Sequence, residues 1–288
     1  MELYFFNQLV DKTSTRKDDK MSETKSPIIL DSTGQAILQA LRDIANKTDG
    51  SAFNNAGFHN AVFRGNSLGT SVSDDQWSEI KAGTFKNMYI GDYWTINNVV
   101  YRIAAFDWWL HYGATEMKSH HAVMVPDGQL YTAQMNTSNT TSGAYWNSAM
   151  KQSNLATALT TVQTAFGSAH ILTRSALMPT ASSGDNVTGW AWEDTSIDLM
   201  TERMVYGNAA WGQATHNGYD AGTDYNQLPL FRLAPEFIIA RDASGNRQWW
   251  WLRDVRSAAG FAGVNLNGYA YNDGASAWGG VRPAFLIG

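Results

Sequence analysis

The spacing of apolar residues changes period several times along the chain, and each change marks an element. In DSTGQAILQALRDIANK, residues 31–47, Ile37, Leu41 and Ile44 recur at i, i+4 and i+7, the stripe of a helix of about three turns. Asp31 or Ser32 caps it and Pro27 lies just ahead. A helix of this length is marginal alone, so the stripe needs a partner. That partner is the main domain or, because the linker KTDGSAFNNAG sets the helix apart, the same helix in other copies of the chain. SDDQWSEIKAGTF predicts a second short helix, capped by Ser73 with acidic residues in its first turn. GDYWTINNVVYRIAAFDWWL then reads as two strands around Asn97-Asn98, a pair that tolerates the positive φ of a tight hairpin turn. His121 to Pro126, HAVMVP, reads as a buried strand.

The middle of the chain returns to the helical period. SNLATALTTVQTAFG has Ser153 as cap, a stripe of Leu155, Leu159, Val162 and Phe166, and Gly167 as stop. EDTSIDLMTERMVYG repeats that design with Ile197, Met200 and Met204 inward and Gly207 at its end, and HILTRSALMP between the two reads as extended. The close of the chain is short strands: WWWLR, FAGVNLN, GYAYN and VRPAFLI. No repeat period is present, and two main helices set among many short strands give an α+β class. The resulting division is a flexible or attachment tail over 1–30, a short oligomerisation helix and linker over 31–57, and one large domain over 58–288. Met21, followed by SETKSPIIL, is an alternative start to Met1.

Composition narrows the function classes. Charged residues are only 16% of the chain, so its surface is built largely of Asn, Ser, Thr, Gly and Gln, neutral and hydrogen-bonding. A net charge of −5 without a basic run argues against nucleic acid. No apolar stretch reaches the ~20 residues of a membrane span. The basic residues of the N-terminal stretch follow its apolar ones, the reverse of a secretory signal, so release by lysis or assembly is the expected route. With no cysteine, disulfides, thiolate nucleophiles and cysteine-ligated zinc are excluded.

Candidate chemistry is thin. His111, Glu116, His120 and His121 cluster in sequence but lack HExxH spacing, and adjacent histidines on a strand point to opposite faces, so no metal is expected. Ser168 and His170 have no nucleophile-elbow context, and phosphate-binding glycine patterns are absent. Asp74-Asp75 and Glu193-Asp194 read as helix starts. GYDAGTDYN, residues 218–226, has the oxygen-rich composition of a calcium loop without EF-hand spacing. Asn46, Asn136, Asn139 and Asn186 match Asn-x-Ser/Thr as chance in an Asn/Thr-rich surface. No cofactor and no catalytic residue are expected.

The strings GDYWTINNVVYRIAAFD, HHAVMVPD, QMN, AFGSAH, LPLFRL, WWLRD and GVRPAF follow one another from Gly91 to Phe285, within a region of resemblance from about Tyr89 to Ile287. Together they resemble a domain family of unknown function frequent in phages and prophages of gut bacteria. The WWLRD…GVRPAF end resembles the variable proteins of diversity-generating retroelements, which are major-tropism-determinant-like and carry a C-type-lectin-like fold. The resemblance implies a fixed frame of Trp250, Trp251, Leu252, Val281, Pro283, Ala284 and Phe285, with a variable surface between its two halves. Adenine-directed mutagenesis of Asn codons yields Asn, Tyr, Ser, Asp and Gly, the residues that dominate NLNGYAYNDGAS. These are also residues that paratopes favour.

The expected ligand-binding surface is Arg256, Ser257, Phe261, Asn265, Asn267, Tyr269, Tyr271, Asn272, Asp273, Ser276 and Trp278. Alternation along FAGVNLN places Phe261, Gly263 and Asn265 outward, beside Tyr269 and Tyr271, and Ala262, Val264 and Leu266 in the core. The function implied is a virion-associated fibre or spike that binds a host cell-surface receptor, protein or glycan, attaches through its N-terminus to virion structural proteins, and assembles as a homo-oligomer, most simply a trimer. The alternatives are a capsid-decoration protein and an adhesin; Gly/Asn-rich loops are also ordinary turns, and Trp blocks ordinary core. Relatives of formylglycine-generating oxidases and sulfoxide synthases share the fold, but the cysteine pair and the His-x-x-x-His-x-Glu string they require are absent.

Overall fold

The computed structural model of the protein describes residues 53–210, 226–242 and 244–288. The N-terminal tail, the helix stripe Ile37, Leu41 and Ile44, and nearly all of GYDAGTDYN lie outside the described residues. Helix α1 (Ala56–His59) begins within the expected linker, capped by Asn55, whose Oδ1 accepts from Phe58 N at 3.0 Å. The fold is α+β, mostly sheet with few helices.

Two sheets carry the domain. Six strands lie in the order β1 (Ser67–Gly69), β2 (Tyr93–Ile96), β3 (Val99–Phe106), β4 (Ala122–Pro126), β15 (Pro283–Ile287) and β8 (Ile197–Leu199). Five more lie in the order β13 (Ala270–Gly274), β12 (Gly260–Val264), β11 (Trp250–Val255), β14 (Gly279–Val281) and β5 (Tyr131–Ala133). A ribbon of β6 (Arg174–Ser183) and β7 (Asn186–Thr195) and a short pair, β9 (Ala240–Arg241) and β10 (Arg247–Gln248), complete it. The β2–β3 hairpin forms as the sequence predicts: Asn97 and Asn98 both take positive φ, 50° and 63°, which short amide side chains tolerate.

Helix α2 (Asp74–Lys81) starts at Ser73 with a reciprocal capping box to Gln76, and Asp74 and Asp75 fill its first turn. Helix α3 (Leu155–Phe166) buries Leu155, Ala158, Val162 and Phe166 and stops at Gly167, φ 86°. Ser153 does not cap it, because a π-helical turn over Met150–Asn154 runs straight into α3. The second predicted helix is mostly strand. Glu193 and Asp194 end β7, Ile197–Leu199 is β8 paired to Pro283–Phe285, and only Glu202–Tyr206 is helical, as α4, capped by Thr201 and Gly207. A short apolar run has no decisive period, and here the partner strand settled it. Helix α5 (Pro229–Leu233) is a single turn followed by a 3₁₀ turn over Pro235–Ile238.

One residue switches the chain between sheets. Val281 ends β14 in the five-stranded sheet, Pro283 begins β15 in the six-stranded one, and Arg282 lies between them, 1% exposed. Its Nε donates to Pro126 O at 2.7 Å, and its guanidinium lies 4.9 Å from the Trp250 ring centroid and 5.7 Å from that of Phe231. Burial pulls its pKa down to about 10. The expected frame is buried throughout: Trp250, Trp251, Leu252, Val281, Pro283, Ala284 and Phe285.

Candidate binding surface

The surface rests on the row of tryptophans opening β11. Trp249 lies just ahead of the strand, and Trp250 and Trp251, its first two residues, take opposite faces. Trp250 is fully buried, donating Nε1 to Ile238 O at 3.2 Å, and Trp251 is fully buried, donating Nε1 to Ala133 O at 3.0 Å. Trp249 is half-buried and meets Trp251 edge-on at 4.9 Å between centroids, then Tyr271 edge-on at 5.8 Å. Two glycines make this chain of rings fit. A Cβ on Gly279 would lie 2.4 Å from Trp249 and 2.6 Å from Trp251 Nε1, while Gly263 sits directly across from Tyr271 in the β12–β13 ladder.

The β12–β13 turn is fixed from within and from below. Asn265 Oδ1 accepts from Asn267 N at 2.8 Å and Tyr269 N at 3.0 Å, and Gly268 takes φ 81°. Tyr206 OH donates to Gly268 O at 3.1 Å, and Arg247 Nη1 donates to Asn267 Oδ1 at 2.9 Å. Burial, then the charge of Glu202, pushes the Tyr206 hydroxyl well above its ordinary range, so it remains a donor. The turn presents Tyr269, 70% exposed, over an open cleft of about 450 Å³ lined by Tyr206, Pro235, Ile239, Asn267 and Gly268.

The eleven expected residues are not one patch. Tyr269, Asn267, Tyr271 and Trp278 are exposed, Trp278 at 65%. Phe261 is wholly buried: every residue of β12 from Gly260 to Val264 is buried, so the face that alternation turned outward is covered as well. Leu266, placed in the core by alternation, is 48% exposed, since it leaves the ladder for the turn. Asn265 organises the turn with its own oxygen. Asp273 is half-buried, its Oδ2 accepting from Tyr271 OH at 3.0 Å and its Oδ1 from Gly274 N at 2.7 Å; burial, then the bond to Asp273, raises the Tyr271 pKa. Ser276 is tied to Asn139 Oδ1 through its N at 3.0 Å and Oγ at 2.8 Å. Asn272 is half-buried on the edge strand. Arg256 and Ser257 are half-buried at the β11–β12 turn, the opposite end of β12 from Tyr269 and roughly 17 Å away along a strand of that length. Trp249 lies outside the expected surface, although three consecutive tryptophans cannot all point to one side and the Gly-Gly after Trp278 signals a close ring.

His111 stands apart, while His120 and His121 both approach Asp107, His121 with its Nδ1 at 4.0 Å. His111 pairs with Glu116 at 2.7 Å and His120 with Asp107 at 2.7 Å, both through Nδ1. His121 is buried, with Nδ1 2.9 Å from Ser119 O and Nε2 accepting from Trp109 N at 3.2 Å; burial brings its pKa down to about 4. No group of three or more His, Asp or Glu side chains suited to a metal occurs among the described residues. His170 is turned to Trp77, stacked at 3.7 Å, and to Gly288 O. No protein family, curated protein or solved structure matches the chain.

Proposed function

We propose that the protein is a non-enzymatic receptor-binding protein of a phage virion, with a C-type-lectin-like domain that displays the Trp249–Tyr271–Tyr269 surface to a bacterial host. One observation carries this reading. Three exposed rings stand over buried tryptophans and glycines: Tyr269 on a turn pinned by Asn265 and Tyr206, Tyr271 on the adjoining strand β13, and Trp278 just ahead of Gly279. Exposed aromatic rings on a rigid support are what binding hot spots are made of, because their contact area costs little side-chain entropy. The switch of the last strands from one sheet to the other supports the fold assignment, since it lets frame and surface share a single stretch of chain. Assembly as a homotrimer and attachment to the particle through residues 1–57 belong to the same proposal; polyvalent display raises effective affinity by ~10²–10⁴ without new contacts. Light scattering that finds only monomer at every concentration removes that part.

The surface is tested by replacing Tyr269, Tyr271 and Trp278 together with Ser and measuring binding of the labelled full chain to a panel of bacterial strains. Strains bound by the wild type lose the variant while circular dichroism stays unchanged. Equal binding by a folded variant places the receptor site elsewhere, and association with particles but with no cell favours a decoration role.

A further inference from the structure

A second cleft, of about 520 Å³, opens where the last turn of α2, the loop before β4 and the end of β15 meet. Every ionisable side chain lining it is basic, Lys81, Lys118, His120 and His170, on a chain whose net charge is −5. The two histidines are engaged: His120 Nδ1 with Asp107 Oδ2 at 2.7 Å, and His170 Nδ1 with Gly288 O at 2.9 Å. Neither lysine ammonium has an ion-pair or hydrogen-bond partner among the described residues. Beside them stands an apolar wall. The indole of Trp77 and the side chain of Leu172 line the same cleft, and the Trp77–His170 stack, 3.7 Å between centroids with planes 11° apart, holds the indole in place.

We propose that this cleft binds a small organic anion, its phosphate or carboxylate head between Lys81 and Lys118 and a ring body against Trp77 and Leu172. The volume falls in the range of small-molecule sites. Two exposed ammonium groups beside an indole and a leucine match a ligand with charge at one end only. Neither element belongs to the Tyr269 surface, which lies on the other sheet, so the proposal stands apart from the receptor reading. The competing account is that Lys81 answers the dipole at the end of α2 and Lys118 is a solvated loop residue; it predicts no saturable binding.

Isothermal titration of the full chain at low ionic strength decides between them, with phenyl phosphate, benzoate, inorganic phosphate and phenol as probes. Phenyl phosphate binds saturably and more tightly than inorganic phosphate, phenol does not bind, and benzoate shows whether a carboxylate head serves as well. The Lys81→Gln/Lys118→Gln double variant, whose exposed positions leave the melting temperature unchanged, weakens phenyl phosphate by at least ~10-fold, as does a rise in salt. Trp77→Leu reduces phenyl phosphate to the level of inorganic phosphate. Absence of saturable phenyl phosphate binding, or an unchanged affinity in the double variant, overturns the proposal; equal affinity for the two phosphates overturns the role of Trp77.

Discussion

Trp251 and Trp278 are the same residue type in the same sheet region, one fully buried and the other 65% exposed. The first spends its N–H on Ala133 O and its ring on Trp249. The second precedes Gly279, whose lack of a side chain is what lets Trp249 lie down. Between them the chain passes from a buried interior to a rim where the rings are open. The contrast shows how one continuous segment can tolerate change at its rim: the bonds that fix the β12–β13 turn come from Asn265, Tyr206 and Gly268, not from the exposed rings.

That contrast sets an order of effects. Trp251→Ala should cost ~3–5 kcal/mol in chemical denaturation, the range for buried aromatic truncation, whereas Trp278→Ala should stay within ~0.5 kcal/mol. Similar losses at both positions would erase the distinction between interior and rim. Gly279→Ala comes next: its Cβ would press on both indoles, so ~1–3 kcal/mol is expected from overpacking, visible also as altered near-ultraviolet dichroism. A neutral outcome would mean that the rings are loosely held.

The third effect depends on pH. Asp254 Oδ2 accepts from Glu202 N at 2.7 Å, and burial, then the Glu202 charge, raises its pKa from 3.8 to about 7. The fold therefore favours the protonated acid. Its stabilising contribution is full below pH 3.8 and is lost as pH rises through about 7. His121, held down to about 4, acts in the opposite sense and loses its contribution as pH falls below 6.5. The difference between wild type and Asp254→Asn isolates the acid: the variant should gain melting temperature relative to wild type as pH is raised from about 4 to 7. A constant or shrinking difference contradicts the burial of that carboxyl. The smallest effects separate the two rim tyrosines. Tyr271→Ser removes an edge-on contact with Trp249 and a bond to Asp273, for about 1 kcal/mol, and Tyr269→Ser should fall within ~0.5 kcal/mol. For the proposed role, loss of cell binding with Tyr269→Ser alone is thus the cleaner evidence of a contact.

Wherever the deciding interaction is local, the sequence alone determined the outcome. Ser73 with Gln76, Asn97-Asn98, and the stops at Gly167 and Gly207 act through backbone groups within a few residues, so their chemistry is readable in order along the chain. The burial of Trp250, Trp251, Leu252, Val281, Pro283, Ala284 and Phe285 was expected from the resemblance of the WWLRD…GVRPAF frame, and blocks of tryptophan are ordinarily core. Only the tertiary structure decided the rest. Ile197–Leu199 became strand because Pro283–Phe285 arrived beside it, from more than eighty residues away. Phe261 was buried on a face that alternation assigned to solvent, since alternation sorts side chains between two faces and does not say whether both are covered, as they are along β12. Arg256 and Tyr269 parted for the same reason: a hairpin sets its two turns at opposite ends of a strand, a separation that spacing along the chain does not reveal.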